Sequence, residues 1–155
     1  MRESIYLVKI IAYQGRKSGG GAVYQDLGNL CFSFLSSYDP KLDFKNENNK
    51  IIISALKNLN INAVFSGRND ILVNDKKISG SAYKLNLGKN GYKAVSLHHG
   101  TILLNVDVER MNRYLNPNKL KLISKGVDSV RSRVVNLLQI DPNLSVDSIY
   151  NSVIV

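Results

Sequence analysis

The sequence contains one cysteine, Cys31. An internal disulfide is thereby excluded, as is any cysteine-rich metal site, and the chain suits a reducing compartment, the cytosol or an organelle matrix. Long apolar runs are missing as well. Ile51-Ile52-Ile53 and the aliphatic residues around Leu103 fall far short of the roughly 18 residues that cross a bilayer, so no transmembrane segment is expected. The opening MRESIYLVKIIAYQG carries an acid at Glu3 and no small-residue cleavage pattern. It reads as a strand over residues 4–13 and not as a secretory signal. No internal repeat, low-complexity tract or long linker interrupts the 155 residues, a length that fits one domain with a single core.

Acidic residues are also in short supply. Twenty-one Lys and Arg stand against 12 Asp and Glu, a net charge of +9. The excess is concentrated in Arg110, Arg113, Lys119, Lys121, Lys125, Arg131 and Arg133, among which Asp128 is the only acid. Such a stretch attracts an anionic partner, or is simply a solvated basic face. Aromatics are not interleaved there beyond Tyr114, so the stacking platform of a single-strand binder is missing, and no nucleic-acid or membrane partner is expected.

What is present reads as several short strands around one strong helix. In LCFSFL, Cys31, Ser33 and Leu35 alternate with Phe32 and Phe34, which predicts a strand over about 30–35. From Asn46 to Asn58, Ile52, Ala55, Leu56 and Leu59 recur at helical spacing, with Asn46 or Asn48 as the cap. INAVF and DILVNDKKIS follow as strands, the second folded into a hairpin at Asn74-Asp75. KAVSLHHGTILLNVD predicts further strands ending near Asp107, which caps a short helix VERMNRYL. A helical turn or two is expected between Lys119 and Lys125. Ser145 caps a final helix along Val146, Ile149 and Val153.

Three stretches stand out chemically. GRKSGGGAVYQD, from Gly15 to Asp26, fails the Walker pattern because Lys17-Ser18 precede the glycines, and it fails the dinucleotide fingerprint because residue 24 is tyrosine. It remains either a tight strand connection or a place where backbone amides approach an anion closely, beside Arg16. In GRNDILVNDKKISGSAY, Lys77 is followed by the small residues Ser79, Gly80, Ser81 and Ala82. It is either a surface lysine of a hairpin or a cation with room for a ligand. His98 and His99 are strand neighbours and point to opposite faces, which argues against a zinc site.

In order, the blocks RKSGGGAVYQDLGN, SGRND, KISGSAYK, HHGTILLN, YLNP and KGVDSVRSRVVNL resemble lipoate-protein ligases and the related lipoyltransferases, from about Arg16 to Leu137. The resemblance implies an α/β (α+β) fold: a largely antiparallel central sheet flanked by helices, biotin/lipoate ligase-like and class II synthetase-like. It implies one partial catalytic domain over 1–155 without the family's N-terminal strands and C-terminal region.

The resemblance also implies a reaction. ATP activates lipoate to lipoyl-adenylate, and the acyl group passes to a lysine of an acceptor domain in a 2-oxoacid dehydrogenase complex or the glycine-cleavage H protein. The alternatives are a lipoyltransferase that uses preformed lipoyl-adenylate, or a truncated non-catalytic relative that binds lipoate or an acceptor domain. By position in the matching blocks, Lys77 bridges the acyl carboxylate and the α-phosphate. Arg16, Ser18, Gly19, Gly20, Gly21, Ala22, Val23 and Tyr24 hold the nucleotide. Asn69 and Asp70 hold Mg2+, Asp70 having a structural capping role as its alternative. Ser79, Gly80, Ser81 and Ala82 line the acyl or ribose side. Cys31 reads as core and not as a thioester nucleophile. The chain departs from the family's pattern at Gly15, in place of an arginine, and at Gln25, in place of a histidine; Gln25 keeps hydrogen-bonding capacity but does not titrate.

Overall fold

The computed structural model describes residues 22–67, 69–89, 91–115 and 134–154. The strand expected at 4–13, the helical turn at Lys119–Lys125 and the basic residues from Lys119 to Arg133 lie outside them. The described residues form β1 (Asn29–Ser37), α1 (Phe44–Asn58), β2 (Val64–Ser66), β3 (Asp70–Val73), β4 (Lys76–Asn86), β5 (Val95–Leu103), α2 (Val108–Tyr114), a 3-10 turn (Leu137–Gln139) and α3 (Val146–Ile154). The strands make one sheet in the order β1-β5-β4-β3-β2, and every neighbouring pair is antiparallel.

Ladder register decides which residues share a face, because directly paired residues point the same way. Ile71, Ser79, Ile102 and Leu30 form one row, Ser81, Gly100 and Phe32 the next, and Tyr83, His98 and Phe34 a third. These rows face the main core, where Ile52 and Leu56 of α1 and Ile149 of α3 pack with Ile61, Ala63, Ile71, Val73, Ile78, Ile102, Leu104, Leu137 and Leu144. The opposite face carries the row Asp70, Gly80, Thr101, Cys31 and the row Ala82, His99, Ser33. At the end of β5 this second face is closed by a smaller cluster, Leu103, Val106 and Met111, against which Tyr24, Val108, Leu115 and Val134 pack.

Several local expectations shift. The first helix begins at Phe44, not Asn46, because the carboxylate of Asp43 accepts from the Asn46 amide and caps a turn ahead of the apolar stripe. Of INAVF, only Val64 and Phe65 enter a strand; Ile61 and Ala63 drop into the core before it. The stretch ending near Asp107 is a single strand, β5. It stops at Leu103 because the amides of Leu104 and Asn105 turn to the Gly28 carbonyl. Cys31 is exposed and not core: Phe32 and Phe34 bury more apolar area and take the inner face, which sends Cys31 outward.

Other elements form where the sequence places them. Asn74 and Asp75 both adopt left-handed φ, 49° and 58°, the conformation a two-residue hairpin turn of this kind requires. Ser145 Oγ accepts from the Ser148 amide at the start of α3. Asp107 caps α2, its carboxylate accepting from the Arg110 amide at 3.0 Å and pairing with the Arg110 side chain at 3.1 Å. Asp107→Ala is therefore expected to lower the unfolding free energy by about 1 kcal/mol, the usual loss for a cap. Urea titration of the two proteins measures it, and an unchanged midpoint would show that the cap contributes nothing.

Candidate functional site

The second sheet face gathers the chemistry. Lys77 extends over it to Asp70, Nζ to Oδ1 at 2.7 Å, with about a third of each side chain exposed. Gly80 pairs with Asp70 across the β3/β4 ladder and provides the floor beneath the lysine. Thr101, Cys31, Ala82 and His99 continue the same surface by register. The thiol of Cys31 donates to Oε1 of Gln25 at 3.5 Å, which places Gln25 over this face.

Lys77 is also fixed through its backbone. Its carbonyl accepts from the Val135 amide at 3.0 Å, and a parallel bridge joins it to Val134. Val134 and Tyr24 both pack against the cluster of Leu103, Val106 and Met111, and Gln25, next to Tyr24, bonds Cys31, so the chain at Tyr24-Gln25 lies on the same side of the sheet as the lysine. Tyr24 is held in turn. Its carbonyl accepts from Asn29 Nδ2 at 2.8 Å, and its ring stacks on Tyr114 at 6.1 Å. Desolvation first, then the carboxylates of Asp26 and Asp107, raises the Tyr24 phenol above its ordinary value, so it is a neutral hydroxyl at physiological pH. Ala22 and Val23 are exposed.

Asp26 links these parts. One carboxylate oxygen accepts from the Gly28 amide at 2.9 Å and the other from the Asp107 amide at 2.8 Å, tying the loop before β1 to the start of α2. Asn69 is clamped to β4: its carbonyl accepts from the Ser81 amide at 2.8 Å, and its Nδ2 donates to the Ser81 carbonyl at 2.7 Å. Together these bonds place the GRND block and the KISGSA block side by side.

The structure thus brings Lys77, Asn69, Asp70, Gly80 and Ala82 together, and it packs Tyr24 on the cluster that closes the end of the same face, with Ala22 and Val23 exposed before it. It separates Ser79 and Ser81 from them. Both serines alternate to the inner face, 1 % and 7 % exposed, and their hydroxyls find no hydrogen-bond partner among the described residues. Whatever these two residues offer a ligand on the lysine's face comes from their backbone, because strand alternation turns the side chains away. Arg16, Ser18, Gly19, Gly20 and Gly21 lie outside the described residues. Three features had no signal in the motifs: the anchoring of Lys77 by Val134 and Val135, the linking role of Asp26, and Asn136. The last is buried and bonds reciprocally with the backbone of Val106, its Oδ1 accepting and its Nδ2 donating, each at 2.9 Å.

Beneath the site, His98 is fully buried, stacked on Tyr83 at 4.4 Å and edge-on to Phe32 at 5.2 Å. Burial first, and the neighbouring His99 second, push it down to about 4, so it is neutral at physiological pH. For a cation, Asp70 is the one carboxylate at Lys77, and no group of three His, Cys, Asp or Glu side chains that could hold a metal occurs among the described residues. A single carboxylate fits magnesium, which takes its remaining ligands from phosphate oxygens and water.

An antiparallel sheet with helices packed on one face and a lysine on the other matches the class II synthetase-like core of solved lipoate ligases. The model of the lipoyl protein ligase A/B catalytic domain matches residues 9–155, and the chain belongs to that family. It is 49% identical over 140 residues to the lipoate-protein ligase A of Blochmanniella floridana, an alignment covering 88% of this chain and 39% of that protein. The chain spans about two fifths of the length of such curated relatives. Among solved structures, P. falciparum LipL1 in complex with lipoate superposes with a TM-score of 0.69 at 42% identity, over 90% of this chain and 36% of that one. The bipartite lipoate protein ligase system of Thermoplasma acidophilum, described with its E2 lipoyl domain, gives 0.68 at 31%, over 90% and 53%. A lipoate-protein ligase A bound with ATP gives 0.68 at 28%, over 90% and 54%. No helix among the described residues is long and apolar enough to cross a membrane.

Proposed function

We propose that this chain carries out, or contributes the core of, ATP-dependent lipoylation: activation of lipoate to lipoyl-adenylate, then transfer of the lipoyl group to a lysine of an acceptor domain. The observation that carries the reading is Lys77, a cation held by Asp70 on the sheet face that Gln25, the residue after the run Ala22 to Tyr24, also meets. A family relative solved with lipoate, another with ATP and a third described with an E2 lipoyl domain support the substrates and the kind of acceptor.

Each step follows from charge. A carboxylate oxygen of lipoate attacks the α-phosphorus of ATP, and pyrophosphate leaves with the bonding electrons. The ε-amine of the acceptor lysine then attacks the acyl carbon, loses a proton and expels AMP. Neither step needs a nucleophile from the enzyme. Both need developing negative charge met by fixed donors, and Lys77 would bridge the acyl carboxylate and the α-phosphate. Arg16 and the run Ser18 to Tyr24 would hold the nucleotide, and Gly80 and Ala82 would floor the acyl or ribose side. Asp70 and Asn69 would hold magnesium, which when bound offsets phosphate charge. Acceptors would be lipoyl domains of 2-oxoacid dehydrogenases and the glycine-cleavage H protein.

Lipoate-dependent exchange of pyrophosphate into ATP tests this, run beside transfer from supplied lipoyl-adenylate to a lipoyl domain. Lys77→Ala is expected to lower exchange by about 10² to 10³, the loss typical of one fixed donor to transition-state charge. Exchange that survives Lys77→Ala overturns the residue's role. Transfer without exchange makes the chain a lipoyltransferase, and the absence of both makes it a non-catalytic relative.

A further inference from the structure

We infer that Gly80 and Asp70 are positioning residues that aim the ammonium of Lys77, acting with a bulge at Ile78; this rests on the reading of Lys77 as the bridge between acyl carboxylate and α-phosphate. In a regular strand, residues three apart point to opposite faces, so Lys77 and Gly80 should not meet. They meet because the register slips. Ile71 pairs with Ser79 but Leu72 pairs with Lys77, which leaves Ile78 as the extra residue and turns the lysine onto the Gly80 face. Bulges re-aim side chains in this way. Ile78 itself is fully buried, so the extra residue is locked into the core.

Once on that face, the lysine needs the space that glycine leaves. A Cβ at position 80 would stand 3.0 Å from Nζ and 3.1 Å from Cε of Lys77, inside ordinary contact distance. A methyl there would push the ammonium a few tenths of an ångström off its line across β4 to Asp70, the cross-strand partner of Gly80. The Asp70 carboxylate then takes one of the three N–H groups and leaves two for incoming carboxylate and phosphate oxygens. With both partners about one third exposed, the pair adds little to stability. Its effect is to fix where the charge stands and which way its remaining donors point.

The test uses the full chain and the variants Gly80→Ala, Asp70→Asn and Asp70→Glu. Limited acetylation with acetic anhydride, mapped by mass spectrometry with Lys57 as internal reference, reads the state of the amine without any activity. Labelling of Lys77 should rise about two- to fivefold in Gly80→Ala and Asp70→Asn, the range a partly exposed ion pair supports. In the exchange assay, kcat should fall about 10- to 100-fold in both, the cost of a misplaced reacting geometry. KM for ATP should stay within about threefold in Gly80→Ala, which removes no magnesium ligand, and Asp70→Glu should recover part of the kcat lost in Asp70→Asn, because it restores a charged partner for the ammonium. Melting of Gly80→Ala should match the parent, since the added methyl meets only the tip of a flexible side chain. Unchanged labelling in both variants, or parental kcat in Gly80→Ala, overturns the inference. Increased labelling in a chain whose parent lacks exchange supports the cradle and overturns the ligase reading instead.

Discussion

Alanine at position 28 is expected to lower the unfolding free energy by about 3 kcal/mol, the upper range of ordinary overpacking. A Cβ there would lie 1.9 Å from the carbonyl oxygen of Asn105, 2.1 Å from its carbon and 2.6 Å from the Val106 amide. All three are backbone atoms, so no rotamer change makes room. Nor can the loop move off freely. The Gly28 carbonyl accepts from the amides of Leu104 and Asn105 at 3.0 and 2.9 Å, and its own amide donates to Asp26. Each of these bonds contributes about 1 kcal/mol net, and more when a buried partner is left without one. Denaturant unfolding of Gly28→Ala measures the loss. A decrease below about 1 kcal/mol would mean that the loop before β1 can part from the end of β5 at small cost. The same substitution at Gly80 meets a mobile lysine tip instead of backbone, so the two glycines separate stability from positioning.

Acid is expected to remove up to about 3 kcal/mol of stability through His98 alone, at about 1.36 kcal/mol per unit between its ordinary value of 6.5 and its native value of about 4. The direction is fixed by which state binds the proton. Above pH 6.5 both states hold a neutral imidazole, and the histidine contributes no pH dependence. As pH falls below 6.5 the unfolded chain takes up a proton that the native protein refuses, because the ring lies buried between Tyr83, Phe32 and Phe34. The loss therefore grows until the native histidine also titrates near pH 4. Urea unfolding at pH 7, 6, 5 and 4.5 for the parent and His98→Phe tests this. Carboxylates titrate in both proteins, so the difference between the two slopes isolates the imidazole. Parallel slopes would show that His98 accepts its proton in the folded state at ordinary pH.

How far the sequence could be read depended on whether a feature is encoded locally. The hairpin at Asn74-Asp75 was legible because left-handed φ at two successive residues selects Asn and Asp. The helices α2 and α3 were legible because Asp107 and Ser145 satisfy their first amides. The fold class followed from blocks of residues matched to a family and not from periodicity, which indicated only short strands around a helix. The start of α1 was misplaced because its cap, Asp43, precedes the apolar stripe by more than two turns. Cys31 was misassigned because strand alternation tells which residues share a face but not which face is buried. For Ser79 and Ser81, four small residues in succession read as one lining, whereas the pleat sends alternate members to opposite sides. The bulge at Ile78 has no composition of its own, so nothing in KKISG announces that the lysine has changed sides.

The attachment of Lys77 to Val134 and Val135 has a kinetic consequence. Asp70, Lys77 and Gly80 belong to one hairpin, whose strands are close in sequence and pair within microseconds. Val134 and Val135 come from far along the chain, and joining them to Lys77 closes a long loop whose entropy must be met before the contact gives anything back. The lysine is therefore expected to acquire its ion-pair partner early and its backbone anchor late. A nascent or partly folded chain would display the amine paired with Asp70 but on an unanchored strand, and the rigidity of this face would arrive with the last contacts of folding.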